Sequence, residues 1–176
     1  SYLNNSGEFD IIACMDVNRE TAELGACQEN AKPYTDIEAL LADKTVEAVS
    51  INTPVLLHAE HIEQSLTTGK HVFVTKPVTA WLEEAEKIIS LARERNLVCM
   101  VGHHARYSPV ARLVRQVIEE GTLGRLCNVV VTCCSSGALA QKPGAWRVAE
   151  GKNPGGPMLQ CGIHKIDFLL GLFGRV

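Results

Sequence analysis

Short apolar runs alternate with helix-like segments along the first hundred residues, and this alternation limits the folds open to the chain. The runs occupy residues 10–16, 46–51, 71–75 and 97–101, and each precedes a segment of helical character. Strands joined by crossover helices run parallel within one sheet, with helices on its faces. Continuous apolar runs suit such strands because both of their faces are buried. The pattern predicts an α/β fold.

Capping signals place the ends of the helices. Asn18 is a helix N-cap candidate, and Thr35 begins a capping-box pattern that opens a short helix to Ala42. Thr53 is predicted to cap a helix with Pro54 in its first turn. The other predicted elements are helices at 18–29, 53–68, 79–95, 110–120 and 157–173, a strand at 126–134 and a loop at 135–156.

Composition and charge exclude several classes of function. The chain has 176 residues, 46% of them hydrophobic, and a formal net charge of −3 without a basic block. These values predict a packed core and give no footprint for a nucleic acid backbone. No apolar run approaches the ~20 residues of a membrane span. The polar N-terminus does not resemble a signal peptide, so we expect a cytoplasmic protein.

The cysteines and histidines show no metal-binding pattern. The seven cysteines include no CxxC pair, and four of them lie in apolar stretches. We therefore expect small buried side chains in a reduced protein. His58 and His61 lie three residues apart on a predicted helix without an HExxH motif, which predicts a structural or solvated role. No metal is expected.

Polar residues follow each predicted strand, at the edge where α/β sheets bind ligands. Asp16 ends the first strand. In folds that bind a dinucleotide, an acidic residue at this place accepts hydrogen bonds from the hydroxyls of the adenine ribose and repels a 2′-phosphate. A simple strand-end cap is the alternative for Asp16. Lys76 follows the third strand and is held by Pro77, where it could polarise a hydroxyl or carbonyl group. His103 and His104 follow the fourth strand and could contact a cofactor or substrate.

The start of the last predicted helix carries the best candidate for a general base. His164 is that candidate because imidazole titrates near neutral pH, although a structural histidine is the alternative. Gln160 is four residues earlier, a spacing that puts both side chains on one helix face. Trp146 and Arg147 precede a glycine-rich stretch and are predicted to line a cleft together with Gln160 and His164.

Taken in order, these residues resemble the Gfo/Idh/MocA family of NAD(P)-dependent oxidoreductases over nearly the whole chain. The family implies a Rossmann domain, placed at 1–104, followed at 105–176 by the beginning of a substrate and oligomerisation domain with an open, mostly antiparallel sheet. The matching residues are Asp16; Asn52, Thr53, Pro54 and His58; 69–72; Lys76 and Pro77; 101–103, Arg106 and Pro109; 121–124; Trp146 and Arg147; and Gly155, Gly156 and 162–167.

The resemblance implies roles for individual residues. Lys76 and His164 match the catalytic lysine and histidine of the family. Cofactor contacts are expected at Asp16, Asn52, Thr53, Pro54, His58 and Lys76, and substrate contacts at His104, Trp146, Arg147, Gln160 and His164. We expect NAD rather than NADP as cofactor, because Asp16 would repel the extra phosphate. The expected protein is a homo-oligomer that acts on a small polyol or sugar.

The chain departs from the family pattern at three places. Thr75 stands where the family has glutamate, and Gln160 stands where it commonly has aspartate. An amide cannot carry a proton, so a proton shuttle shared with Gln160 is excluded. The GxGxxG turn that opens the family's first domain is absent from residues 1–176. We therefore expect an internal piece of a longer protein that by itself neither binds NAD tightly nor oxidises a substrate.

The resemblance implies oxidation of a secondary alcohol on a sugar, cyclitol or related polyol. Two alternatives share the fold: a non-catalytic regulator that senses a dinucleotide, and a glycosidase that uses NAD transiently. Loss of the paired aspartate favours the regulator, whereas retention of Lys76 and His164 argues against it.

Overall fold

The computed structural model describes residues 7–134 and 154–174. The chain divides into two compact units. Unit 1 comprises residues 1–51, 60–73 and 86–100, and unit 2 comprises residues 52–59, 74–85 and 101–176. Both units contain residues of the first predicted domain, so the boundary at residue 104 stays a prediction.

A parallel pair of strands begins unit 1. Strand β1 (Ala13–Met15) pairs with β2 (Lys32–Tyr34) across helix α1 (Arg19–Glu29). Asn18 caps α1 as predicted, because its side chain accepts a hydrogen bond from the backbone N–H of Thr21 at 3.0 Å. The first strand is shorter than predicted, and β2 was missed because Pro33 interrupts a three-residue run without apolar periodicity.

A tightly bonded turn leads from helix α2 (Ile37–Ala42) to strand β3 (Ala48–Ile51). The cap of α2 is Asp36, whose carboxylate accepts from the backbone N–H of Ala39 at 2.9 Å, so the prediction of Thr35 as cap was wrong. In the turn, hydrogen bonds from Thr45 and Tyr34 hold the pKa of the Asp43 carboxyl well below its usual range.

Strand β3 begins a three-stranded sheet in the order β3-β4-β5. Strand β4 (His71–Thr75) matches its predicted bounds, helix α4 (Leu82–Glu94) follows it, and β5 (Cys99–Gly102) completes the sheet. In the described residues β1 and β3 belong to different sheets and do not pair.

A single turn of 3₁₀ helix (Val55–Leu57) precedes helix α3 (His58–Thr67). Pro54 is the residue before that turn and offers no side-chain hydrogen bond, so the prediction of Thr53 as helix cap was wrong. Gly69 ends α3 with a φ of +80°, a left-handed conformation that glycine adopts without strain.

The regular structure described beyond residue 104 is helical, and residues 121–134 are turns and coil. A 3₁₀ turn (His104–Tyr107) leads to helix α5 (Pro109–Glu119), which Ser108 caps as predicted. A π-helical segment (Met158–Gly162) continues into helix α6 (Ile163–Phe173). The predicted strand at 126–134 was wrong: these residues are exposed, and no described strand offers the backbone partner that a ladder requires.

The cysteines differ from the expectation of burial. All seven are free, and only Cys14 and Cys99 are half-buried. Cys127 and Cys133 are exposed because their apolar surroundings do not form a strand. Among the described residues, no helix combines the length and the apolar character needed to span a membrane.

A buried ammonium group ties unit 1 together just before β3. Lys70 is 7% exposed, and its Nζ donates to the carbonyl oxygens of Asp43 at 2.8 Å and Val46 at 2.6 Å. The lysine thus satisfies two backbone acceptors at the turn that sets the start of β3. Charged groups are buried only where partners of this kind replace water.

We predict that Lys70→Ala lowers the free energy of unfolding by about 2–4 kcal/mol, because two carbonyl groups lose their partner in a buried place. Lys44→Ala is the matched control, since Lys44 is exposed on the same turn. Urea denaturation of both variants measures the difference. Equal stability of the two variants would contradict a structural role for Lys70.

Candidate active site

Lys76, Gln160 and His164 come together in unit 2. Lys76 follows β4, and its Nζ donates to the backbone carbonyl of Gln160 in the π-helical segment. The positive charge of Lys76 also lowers the pKa of His164, which lies one helical turn after Gln160. The sequence predicted a side-chain role for Gln160 from α-helical spacing, whereas the contact with Lys76 uses its main chain.

Three imidazole rings form a cluster beside this lysine. The ring centroids of His104 and His164 are 5.0 Å apart, and those of His103 and His164 are 6.4 Å apart, both pairs meeting edge to face. His164 and His103 are half-buried, whereas His104 is exposed. The Nδ1 atoms of His103 and His164 are buried, and neither has a hydrogen-bond partner among residues 7–134 and 154–174.

The surroundings of His164 favour its neutral form. Burial lowers the pKa of His164, and the positive charges of Lys76, His104 and His103 lower it further, while Asp167 opposes them. Burial likewise lowers the pKa of His103. A neutral imidazole has a lone pair available, so His164 is suited to accept a proton at neutral pH.

The ion pair of Arg106 and Asp167 lies beside the histidine cluster, and sequence reasoning did not assign it to the site. The Nε of Arg106 donates to Oδ2 of Asp167 at 2.8 Å. A second guanidinium nitrogen donates to Oδ1 and to the backbone carbonyl of Asp167. Asp167 is 9% exposed, and its Oδ1 lies 3.9 Å from His103 Nδ1. Both residues belong to the family pattern, which was the available signal.

His58 connects the segments that carry two groups of predicted site residues. Its ring is 1% exposed, with Nε2 2.8 Å from the carbonyl oxygen of Thr53 and Nδ1 2.8 Å from that of Pro77. A neutral imidazole donates to only one of two carbonyls, and a protonated ring donates to both. The predicted direct contact of His58 with a cofactor would require one of these contacts to break.

The remaining predicted residues have the following positions. Asn52, Thr53 and Pro54 follow β3 directly, at the carboxyl end of the strand. Asp16 follows β1 in unit 1. Trp146 and Arg147 lie outside the described residues.

The end of β1 presents a carboxylate in a fixed position. Asp16 is half-buried, and its Oδ1 accepts from the backbone N–H of Asn18 at 2.8 Å. This bond fixes the carboxylate while Oδ2 has no hydrogen bond to the described residues. The neighbouring Val17 is 84% exposed and offers an apolar surface beside the carboxylate. The described residues contain no group of three side chains suited to a metal ion.

Two family models match the chain. One, described as "Oxidoreductase family, NAD-binding Rossmann fold", matches residues 1–103, and the other, described as "GFO/IDH/MocA C-terminal domain", matches residues 111–176. The chain therefore belongs to the Gfo/Idh/MocA oxidoreductase family. Its fold is α/β with a Rossmann-like first part, as the sequence predicted.

Individual relatives and solved structures support the same family assignment. The chain is 32% identical over 167 residues to scyllo-inositol 2-dehydrogenase (NADP(+)) of Bacillus subtilis, covering 95% of the chain and 45% of that enzyme. An oxidoreductase from Desulfitobacterium hafniense superposes with a TM-score of 0.87 at 30% identity, covering 99% of the chain and 51% of that structure.

A third similar protein has been solved with ligands. Levoglucosan dehydrogenase in complex with NADH and levoglucosan superposes with a TM-score of 0.81 at 26% identity, covering 93% of the chain and 45% of that structure. The curated enzyme of that name, from Pseudarthrobacter phenanthrenivorans, is 30% identical over 146 residues, which are 81% of the chain and 37% of that enzyme. The chain spans about half the length of the curated relatives it matches.

We predict that His58→Ala lowers the free energy of unfolding by about 2–4 kcal/mol, because it removes a buried ring and leaves two carbonyls without their contact. Glu63→Ala, an exposed change on the same helix, is the control and should change stability little. His58→Gln should recover part of the loss, since an amide N–H₂ can donate to one carbonyl. Denaturant titration distinguishes these results from a solvated role, in which all three variants would match the wild type.

Proposed function

We propose that the protein oxidises or reduces a secondary alcohol on a sugar, cyclitol or related polyol, with NAD as hydride carrier. The observation that carries this proposal is that Lys76 donates to the carbonyl of Gln160, one helical turn before His164, and that its charge lowers the pKa of His164. A charged lysine can orient the hydroxyl of an alcohol, and a neutral imidazole can accept its proton during oxidation. Relatives named for scyllo-inositol and levoglucosan support the substrate class.

In this proposal the chain's residues divide the work between them. His164 accepts the hydroxyl proton, and Lys76 orients that hydroxyl and stabilises negative charge that develops on its oxygen. His104, Trp146, Arg147 and Gln160 contact the substrate. The nicotinamide, when bound, supplies the redox chemistry. Residues 1–104 would hold the dinucleotide, and residues 105–176 would begin the substrate and oligomerisation domain.

NAD is the proposed cofactor because of Asp16. Its fixed carboxylate can accept hydrogen bonds from both ribose hydroxyls, and it would repel a 2′-phosphate. Relatives do not agree on the cofactor: one is named for NADP(+), and levoglucosan dehydrogenase was solved with NADH. The choice of NAD for this chain therefore rests on the carboxylate of Asp16.

Turnover of the cofactor tests the proposed activity. The purified full-length protein should produce NADH in proportion to alcohol consumed when it is incubated with NAD and a panel of polyols and sugars. Glycosidic cleavage without net NADH would identify the glycosidase alternative. Dinucleotide binding without either reaction would identify the regulator, and both results would overturn the proposal.

We predict that His164→Ala lowers kcat about 10²–10⁴-fold while KM for the alcohol rises much less, because the general base is lost. Lys165→Ala, an exposed neighbour, should leave kcat unchanged. Because the pKa of His164 lies below its ordinary value, oxidation should decline only when the pH falls below ~6.5, where the imidazole becomes protonated. Steady-state rates against pH check both statements; a rise in KM alone would make His164 a binding residue.

We predict that the wild type has a higher kcat/KM with NAD than with NADP, and that Asp16→Ser shifts the ratio toward NADP by about tenfold or more, since a negative charge facing the 2′-phosphate is removed. Asp10→Asn removes an exposed carboxylate before the same strand and should leave the ratio unchanged. Initial rates with both cofactors provide the measurement. Equal or better wild-type kcat/KM with NADP would contradict the assignment.

A further inference from the structure

A proton accepted by His164 must leave it before the next turnover, and the surrounding groups determine its path. The inference rests on the proposed function, since it concerns the same base. The Nδ1 of His164 is buried and has no hydrogen-bond partner in the described parts of the chain. The ring therefore needs a neighbour that can take the proton from it.

Three nearby groups are unsuited to this task. The amide of Gln160 does not carry a proton near neutral pH. Lys76 is an ammonium group that donates to the Gln160 carbonyl. Both carboxylate oxygens of Asp167 accept hydrogen bonds from Arg106, so this carboxylate is already engaged in a two-point ion pair.

The choice lies between the two neighbouring histidines, and their geometry separates them. His103 is half-buried, has a buried Nδ1 and lies with that atom 3.9 Å from Asp167. His104 is closer to His164, with 5.0 Å rather than 6.4 Å between ring centroids, and it is exposed. Only His104 both approaches the base and reaches solvent.

We propose that His104 relays the proton between His164 and solvent. In oxidation, the hydride leaves the carbinol carbon with its electron pair and reduces the oxidised nicotinamide, while the hydroxyl proton goes to His164. His104 accepts a proton from His164 at one ring nitrogen, directly or through one water, and releases a proton to water or buffer. Reduction uses the same path in reverse, and neither histidine keeps a net charge.

The relay compensates for Gln160 in this chain. An aspartate at position 160 could share the proton of His164, whereas an amide only donates or accepts hydrogen bonds. The positive form of His104 also lowers the pKa of His164, as do Lys76 and His103, while Asp167 raises it. His164 is thereby kept from holding a proton while His104 carries one.

A titration of the protein without cofactor tests the coupling between the two rings. In His104→Asn the pKa of His164, followed by NMR of the imidazole nitrogens, should rise, because one positive neighbour is removed. His104→Gln should give the same shift, and circular dichroism should show that both variants are folded. An unchanged titration of His164 in folded variants would overturn the relay.

Kinetics with added buffer test the transfer itself. In a dilute, bulky buffer His104→Asn should lower kcat about tenfold or more and increase the solvent deuterium effect on kcat, while KM for the alcohol changes less than kcat. Added imidazole should restore kcat in proportion to its concentration. His103→Asn is the matched control from the same loop, and imidazole should not raise its kcat.

The outcomes separate the relay from the proposed function. Absence of alcohol turnover by the wild type would overturn both. Turnover by the wild type with unchanged kcat in His104→Asn would overturn the relay alone. So would a loss that imidazole does not restore and that comes with a raised KM, since His104 would then be only a substrate contact.

Discussion

The two contacts of the buried His58 ring hold together the segments on which the candidate site is built. Thr53 belongs to the turn after β3, and Pro77 follows the lysine that carries the proposed chemistry. The strands before these segments, β3 and β4, are neighbours in one sheet, and the ring adds a side-chain link between the two segments beyond the strand ends. A rigid link of this kind limits how far a charged group can drift from its working position.

Sequence patterns predicted the elements whose signals are local. Asn18 and Ser108 cap their helices because a short polar side chain can reach the first N–H groups wherever the rest of the chain lies. Residues 126–134 have strand-like composition, but strand formation depends on a distant partner and composition does not supply one. Strand β2 shows the opposite case, in which pairing with β1 imposes a strand on an unpromising sequence.

The candidate site could be predicted as residue types but not as contacts. Lys76 and His164 were identified from the sequence, but the hydrogen bond of Lys76 to the main-chain oxygen of Gln160 is a contact that no motif records. The Arg106–Asp167 ion pair joins residues 61 positions apart, so no periodicity would have paired them. The orientation of the His58 side chain could not be predicted from the pattern of its helix, because the two carbonyls that it contacts belong to turns outside that helix.

The π-helical segment has a consequence for the comparison of related sequences. A π turn closes with an i→i+5 hydrogen bond and so holds one residue more than an α turn. Removing one residue between Met158 and Gly162 would return the segment to α-helix while the residues on either side of it keep their present helix faces. Alignments across this stretch should therefore place their gaps within the π turn, since a gap elsewhere would match Gln160 with a residue of a different helix face.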